Sequence, residues 1–152
     1  MKATRFVEKR LTKAERIAFE LIIPNLLDLL EKEDIHFDLP NRDGLLRLEE
    51  CKMSKFCLDQ IYKHQSPILY SLEAFIGKVD FNKLKKHLSG GSMFCSPSST
   101  TAYLMNVSEW DERAERYLVN ALKNGQKNGE NGGVACTYPN TTFELTGVLF
   151  LI

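Results

Sequence analysis

Apolar residues recur every three to four positions along most of this chain, the spacing that places them on one face of an α-helix. The clearest apolar stripe runs from Ile17 to Leu30. Thr12 and Glu15 precede it with the spacing of a capping box, in which each side chain satisfies a backbone N–H of the other residue. Pro24 lies inside the stripe and has no N–H to donate, so the sequence predicts a kink or a break there.

Shorter helical units follow, each preceded by a polar residue that can cap its first turn. The predicted N-caps are Ser54, Ser66, Asp80, Ser96 and Ser108. Gly77 is expected to stop the helix that starts after Ser66. Segments 34–44 and 123–133 are predicted loops, and a last helix is predicted from Pro139 onward.

Short helices joined by tight turns favour an α/α-barrel over a bundle of long rods. The 152 residues suit one domain, so we predict an all-α protein in which residues 1–152 form a single helical domain. Residues 143–152 become more apolar toward the end and carry no cap. We therefore expect the domain to be incomplete at its C-terminus, because this face needs a packing partner. The alternative is a small protein whose last helix docks in its own core.

The bulk composition limits the classes of partner and compartment. Twenty Lys and Arg residues balance 20 Asp and Glu residues, which gives no electrostatic reason to expect nucleic acid or an anionic membrane as partner. No apolar run is long enough to span a bilayer, and the charged N-terminus is no secretory signal. The four cysteines form no CxxC pair, which favours reduced thiols. These features together predict a cytoplasmic protein.

Motifs that carry chemistry are scarce. The GxSxG, HExxH and GxxxxGK[ST] patterns are all absent from the sequence. Residues 89–92 (SGGS) imitate a phosphate loop only weakly, because no Lys-Ser/Thr follows, and a turn is the better interpretation. Residues 83–87 form a basic patch that we interpret as a solvated face. Spacing alone therefore predicts no function.

Two consecutive stretches resemble class II diterpene cyclases. Residues 71–81 read SLEAFIGKVDF, and residues 91–105 read GSMFCSPSSTTAYLM. They are similar to the bifunctional copalyl diphosphate/kaurene-type synthases of fungi, and segments 18–24, 110–111 and 132–139 agree in the same order. The resemblance implies that the chain is most of the γ domain, a partial α/α-barrel that encloses the class II cavity together with a β domain.

The resemblance also implies a reaction, the protonation-initiated cyclisation of geranylgeranyl diphosphate to copalyl diphosphate with the help of Mg²⁺. The family's general acid is the middle Asp of a DxDD motif in the β domain, and its class I α domain uses a DDxxD motif; this sequence contains neither. Protonating an alkene requires a protonated carboxylic acid aimed into a dry cavity. We therefore expect the isolated chain to be inactive, to bind no Mg²⁺ alone, and to need the missing β domain as partner.

Four positions match sites of the family. Lys52 matches the lysine that meets the substrate diphosphate; without the resemblance, it would be an exposed helix-end lysine. Glu20 matches an acidic position linked to the Mg²⁺-dependent diphosphate site, the alternative being a buried structural glutamate. Tyr70 and Cys136 stand where plant copalyl diphosphate synthases have a His and an Asn that hold the water for the final proton removal. Neither is a ready neutral base, so we interpret Tyr70 as part of the apolar wall.

Two further functions stay open from the sequence. A degenerate cyclase descendant could bind an isoprenoid diphosphate or a partner protein as a non-catalytic helical module. The departures from the family at Tyr70, Ala135 and Cys136 favour this hypothesis. A stable helical protein without any ligand is the third interpretation.

Overall fold

The computed structural model describes residues 18–126 and 133–139. This part of the chain is mostly helical, as predicted, with one short β-hairpin. The first described element is a π-helical turn, Ala18–Ile22. Two 3₁₀ segments cover Pro67–Phe75 and Phe81–His87. The α-helices and strands are α1 (Ile23–Lys32), α2 (Arg42–Met53), α3 (Asp59–Lys63), β1 (Leu88–Ser89), β2 (Ser92–Met93), α4 (Pro97–Asn106) and α5 (Glu112–Gln126).

The chain divides into two compact units. Unit 1 comprises the described residues of Met1–His64 together with Glu73–Val79, and unit 2 comprises Gln65–Leu72 with the described residues of Asp80–Ile152. Helices α1, α2 and α3 belong to unit 1. The hairpin, α4 and α5 belong to unit 2.

The predicted interruption at Pro24 is a change of helix type. The π-helical turn ends at Ile22, and α1 begins at Ile23 with Pro24 in its first turn, where a missing N–H costs no intrahelical bond. Ile22 keeps right-handed helical angles, with φ −70° and ψ −46°. The backbone therefore stays helical, and the interruption lies in its hydrogen-bond pattern.

The core of unit 1 is apolar and includes an aromatic pair. Its buried side chains are Leu21, Leu27, Leu45, Ile61, Ala74 and Phe75. The rings of Phe56 and Phe75 meet edge to face with centroids 6.2 Å apart, a favourable geometry for aromatic rings. The buried Asn25 amide donates to the backbone carbonyl of Glu73 at 2.7 Å, so its polar group is satisfied.

Three of the predicted caps in the sequence are confirmed. Ser66 Oγ accepts from the N–H of Ile68 at 3.2 Å, and Asp80 Oδ1 accepts from the N–H of Asn82 at 3.1 Å. Ser96 Oγ accepts from the N–H of Ser99 at 3.3 Å and opens α4. The helices after Ser66 and Asp80 are 3₁₀ rather than α, and the first is kinked at Ser71.

Two predicted caps are wrong. The Ser54 hydroxyl donates backward to the carbonyl of Cys51 at 2.9 Å, and α3 begins only at Asp59. Ser108 donates through its N–H and its hydroxyl to Asn82 Oδ1, each at 2.9 Å. The carboxylate of Asp111 accepts from the N–H of Arg113 at 3.0 Å and caps α5 instead. In both cases the hydroxyl donates to a carbonyl oxygen and does not accept from an N–H of a helix N-terminus.

The SPSST segment serves the backbone of its neighbours. Ser96, Ser99 and Thr100 are fully buried, at 0% exposure. Ser99 Oγ accepts from the N–H of Leu72 at 2.9 Å. Thr100 Oγ1 accepts from the N–H of Met93 at 2.9 Å and donates to the Ser96 carbonyl at 2.7 Å. These hydroxyls therefore join α4 to the SLEAF segment and to the hairpin.

Residues 89–92 form the turn of the hairpin, which confirms that a turn was the better interpretation of this segment than a phosphate loop. Strands β1 and β2 pair antiparallel, with Ser89 opposite Ser92, and Gly90 and Gly91 have φ of 57° and 84°. Positive φ at both central residues is the requirement of a two-residue hairpin turn of type I′. The hairpin was not foreseen in the all-α prediction.

Some predictions fall on residues outside the described ranges. They are the Thr12–Glu15 capping box, most of the 123–133 loop and the helix after Pro139. Helix α5 extends to Gln126 and so includes the first residues of the predicted loop. None of the helices within 18–126 is long and apolar enough to cross a membrane.

The two hairpin glycines give a matched pair of substitutions. A Cβ on Gly91 would lie 2.3 Å from the carbonyl oxygen of Arg113, whereas one on Gly90 would meet nothing within 4 Å. Both alanine variants pay about 1 kcal/mol for the left-handed backbone. We expect Gly91→Ala to cost about 2 kcal/mol more than Gly90→Ala in the free energy of unfolding, measured with urea. Equal losses of unfolding free energy in the two variants would show that residue 91 is not in close contact with α5.

The Asp111 cap predicts a pH-dependent stability. Its hydrogen bond to the Arg113 guanidinium lowers the pKa of the Asp111 carboxyl. A folded-state pKa below the unfolded value of about 3.9 adds stability above that pH, which is lost as the pH falls through the folded pKa. Asn can still cap, so Asp111→Asn removes only the charge and should cost about 1 kcal/mol at pH 7.

This difference between wild type and Asp111→Asn should shrink below about pH 4. Glu112→Gln is the control, because it removes an exposed charge from the same helical turn. A loss that is the same at pH 7 and pH 3 would contradict the charge argument.

Candidate functional site

The structure brings Glu20 and Lys52 together in unit 1. Glu20 lies in the π-helical turn, and Lys52 lies in the last turn of α2. The Lys52 ammonium forms an ion pair with Glu20 Oε2, and the two side chains are 20% and 7% exposed. Lys52 is therefore not the solvated helix-end lysine of the alternative interpretation.

The Glu20 carboxylate has little other support in the described part of the chain. None of the described groups donates a hydrogen bond of regular geometry to its Oε2 atom. A buried carboxylate without several donors depends on the charge of its neighbour, here Lys52. The π-helical turn that carries Glu20 is a rare backbone form that occurs often at functional sites.

A second ion pair of the same kind lies in unit 1. Lys78 pairs with Glu49, a residue of α2 that precedes Lys52 by one helical turn. Their side chains are 26% and 13% exposed. The sequence analysis missed this pair, because the partners are 29 residues apart and no local pattern links them. Helix α2 thus presents one acidic and one basic side chain to partners elsewhere in unit 1.

One carboxylate does not make a magnesium site. Mg²⁺ prefers an octahedral shell of oxygen ligands, to which proteins contribute one or two carboxylates beside water and substrate. Within residues 18–126 and 133–139, no group of three or more His, Cys, Asp and Glu side chains could hold a metal ion. The described residues therefore do not fit Mg²⁺ as a site of their own.

The structure also brings Tyr70 and Cys136 together, in unit 2. The Tyr70 hydroxyl donates to the backbone carbonyl of Cys136 at 2.9 Å and lies 2.8 Å from Thr137 Oγ1. Its proton is thus engaged by the backbone, and the contact does not involve the Cys136 thiol. The four thiols of the chain are free and exposed.

Three hydrogen bonds of Tyr138 hold the segment that carries Cys136 in place, and two of them come from side chains. The Tyr138 N–H donates to the Cys95 carbonyl at 2.9 Å, and the Tyr117 hydroxyl donates to the Tyr138 carbonyl at 2.7 Å. The Asn124 amide donates to the Tyr138 hydroxyl at 2.7 Å. Burial raises the pKa of Tyr117, so its phenol keeps the proton that it donates.

Tyr117 and Asn124 were not predicted to contribute. Both lie on α5, and nothing in their spacing along this helix indicates a hydrogen-bonding role. Sequence reasoning singled out Tyr138 only as part of the family match. Its contacts join residues that are 14 to 43 positions apart, which no local signal reveals.

Comparison with known proteins gives consistent matches. The chain is 47% identical over 135 residues to an ent-kaur-16-ene synthase of Fusarium fujikuroi. It is 42% identical over 135 residues to a phyllocladan-16-alpha-ol synthase of Phomopsis amygdali. It is also 40% identical over 129 residues to a copalyl diphosphate synthase of Talaromyces verruculosus. These alignments cover 88%, 88% and 84% of this chain. No family model matches the chain.

The matched proteins share one class of chemistry by name: they are synthases of fungal diterpenes or of their diphosphate precursor. At these identities over most of its length, the chain belongs to the diterpene cyclase family, which confirms the resemblance. The chain spans only 13% to 14% of the length of these relatives.

The buried ion pair predicts an asymmetric response to substitution. Lys52→Met leaves the Glu20 carboxylate buried without a cation, and we expect a loss of about 3 kcal/mol in the free energy of unfolding. Glu20→Gln in the Lys52→Met background should recover part of that loss, because the uncompensated charge is gone. Lys55→Met, at an exposed position three residues away, should change stability by less than about 0.5 kcal/mol. Additive losses in the double variant would contradict a direct pair.

Proposed function

We propose that this chain is γ-domain sequence of a diterpene cyclase whose whole protein converts geranylgeranyl diphosphate to copalyl diphosphate by protonation-initiated cyclisation. The observation that carries the proposal is the buried Lys52–Glu20 pair in a chain of this family. The described helices would form part of an α/α-barrel, and a β domain would complete the cavity. A cytoplasmic location goes with this proposal.

Lys52 would bind the diphosphate of the substrate. Its ammonium is a compact cation on a flexible stem, which suits a phosphate group as a point charge. The partial burial of Lys52 strengthens this attraction, since the surroundings screen charge less than water does. Before substrate arrives, Glu20 keeps this cation paired and in one position.

Glu20 would act mainly by positioning Lys52. The family's Mg²⁺ supplies charge neutralisation at the diphosphate when it is bound. Because Glu20 is a single carboxylate already paired with Lys52, we assign the metal no step on this chain. The isolated chain would bind substrate without cyclising it, since the DxDD acid is absent from its sequence.

A second candidate function is a non-catalytic module that binds an isoprenoid diphosphate. The contact between Tyr70 and Cys136 favours it, because the Tyr70 proton is engaged by a backbone carbonyl. No side-chain base of the plant type stands at either position. In this case Lys52 would still bind the diphosphate, but the whole protein would catalyse no cyclisation.

Binding of geranylgeranyl diphosphate to the chain, measured by calorimetry, tests the proposed role of Lys52. Lys52→Ala should weaken binding about tenfold or more, because a charge-assisted contact is lost. Lys55→Ala is the matched control and should bind like wild type, since it removes the same charge from an exposed position. Equal affinities in both variants, or no binding to wild type, would remove the diphosphate role.

A chimera separates the two candidate functions. The chain replaces the homologous segment of the Fusarium fujikuroi relative, to which it is 47% identical. If the chimera makes a cyclised diterpene and loses this activity with Lys52→Ala, the result supports the cyclase. If the isolated chain binds geranylgeranyl diphosphate but the chimera is folded and inactive, the result supports the binding module.

A further inference from the structure

A cavity of about 440 Å³ lies in unit 2, and none of the residues assigned above to the diphosphate site lines it. One wall is a face of α5, where Arg113, Arg116, Tyr117 and Asn120 follow one another at helical spacing. The rest of the lining comes from the hairpin turn, through Gly90 and Gly91, and from Tyr138 with Pro139. Cavities of roughly this size, about 300–1,000 Å³, accommodate small molecules.

The hairpin turn can approach α5 this closely only because residue 91 is a glycine. Gly91 is buried, and a Cβ at that position would collide with the carbonyl oxygen of Arg113. Gly90 is exposed and has no side chain to cover the cavity. A ligand can therefore reach the backbone of the turn as well as the side chains of α5.

The charge on the cavity wall is positive. The lining contains two arginines and neither an aspartate nor a glutamate. Arg113 is compensated, because its guanidinium binds the Asp111 carboxylate at 3.1 Å and 3.3 Å. Within the described part of the chain, Arg116 has no such carboxylate partner. One positive charge on this wall is thus left for a ligand.

Neutral donors surround that charge. The Asn120 side-chain amide lies one helical turn from Arg116 and makes no hydrogen bond to the described residues. The Tyr138 hydroxyl accepts from Asn124, which leaves its own proton available to donate. The cavity is thus lined by three kinds of hydrogen-bond donor, a guanidinium, an amide and a phenol, and by no carboxylate that could accept from them.

We propose that this cavity binds a phosphate-type oxyanion through Arg116, with Asn120 and Tyr138 as additional donors. The planar guanidinium matches two oxygens of a phosphate group at once, which is the geometry that makes arginine selective for such groups. The anion could be inorganic diphosphate or the phosphate end of an organic molecule.

The test is an NMR titration of the chain with inorganic diphosphate, with phenyl phosphate as the organic probe and acetate as the carboxylate control. Binding should shift the amide resonances of Gly90 and Gly91 and the side-chain signals of Arg116 and Asn120. Arg116→Gln should weaken diphosphate binding about tenfold or more. Arg116→Lys should give an intermediate affinity, because it keeps the charge but loses the planar fork.

Lys86→Gln is the matched control, since it removes one exposed positive charge from unit 2 outside the cavity. Equal weakening in Lys86→Gln and Arg116→Gln would overturn the proposal, as would shifts confined to other residues or acetate binding as tight as diphosphate. Binding of phenyl phosphate as well as diphosphate would support a site for an organic phosphate, and binding of diphosphate alone would support a free anion. Lys52→Ala should leave the shifts of Gly90, Gly91, Arg116 and Asn120 unchanged even if it removes shifts around the Lys52–Glu20 pair, which separates this outcome from that of the proposed function.

Discussion

Short helices leave many backbone groups without intrahelical partners, and this constraint governs most of the polar residues in the structure. Each α-helix has about four N–H and four C=O groups that its own turns cannot satisfy. The described α-helices, with five to fifteen residues, therefore need many other partners. Here serine and threonine hydroxyls, aspartate carboxylates and tyrosine phenols supply them. The buried Ser99 satisfies the N–H of Leu72 in a 3₁₀ segment in this way, and Thr100 does the same for the N–H of the strand residue Met93.

Charged residues follow a related rule in unit 1. Removing a carboxylate or an ammonium from water is costly unless an opposite charge replaces the lost hydration. Helix α2 carries Glu49 and Lys52, and each is paired with a residue outside the helix. A pair of this kind adds little net stability over apolar packing, but it fixes where each charge stands. A fixed ammonium needs little reorganisation when an anion arrives, which is the property that a diphosphate site requires.

Local signals in the sequence predicted the features that depend on neighbouring residues. The caps at Ser66, Asp80 and Ser96 and the turn at Gly90 and Gly91 follow from chemistry within four positions along the chain. Ser54 and Ser108 failed because a hydroxyl has several acceptors within reach, and only the folded chain decides among them. The family resemblance singled out Lys52, Glu20, Tyr70 and Cys136 one by one, but it predicted neither the Lys52–Glu20 ion pair nor the hydrogen bond from Tyr70 to Cys136. Lys78–Glu49 and the Tyr117 contact matched no motif and were missed.

The residues that identify the family are largely not those that would perform its chemistry. Three hydroxyl residues of the SPSST motif, Ser96, Ser99 and Thr100, are buried, and Ser99 and Thr100 satisfy backbone N–H groups that an apolar side chain would leave without a partner. A fold can retain such residues while the residues around a substrate change. Tyr70 and Cys136 show that difference, since their contact preserves a link between two segments without supplying a base. Motifs of the family thus include residues that pack the fold, whereas the proposed activity would depend on Lys52, on the wall around Tyr70 and on an acid that this sequence does not contain.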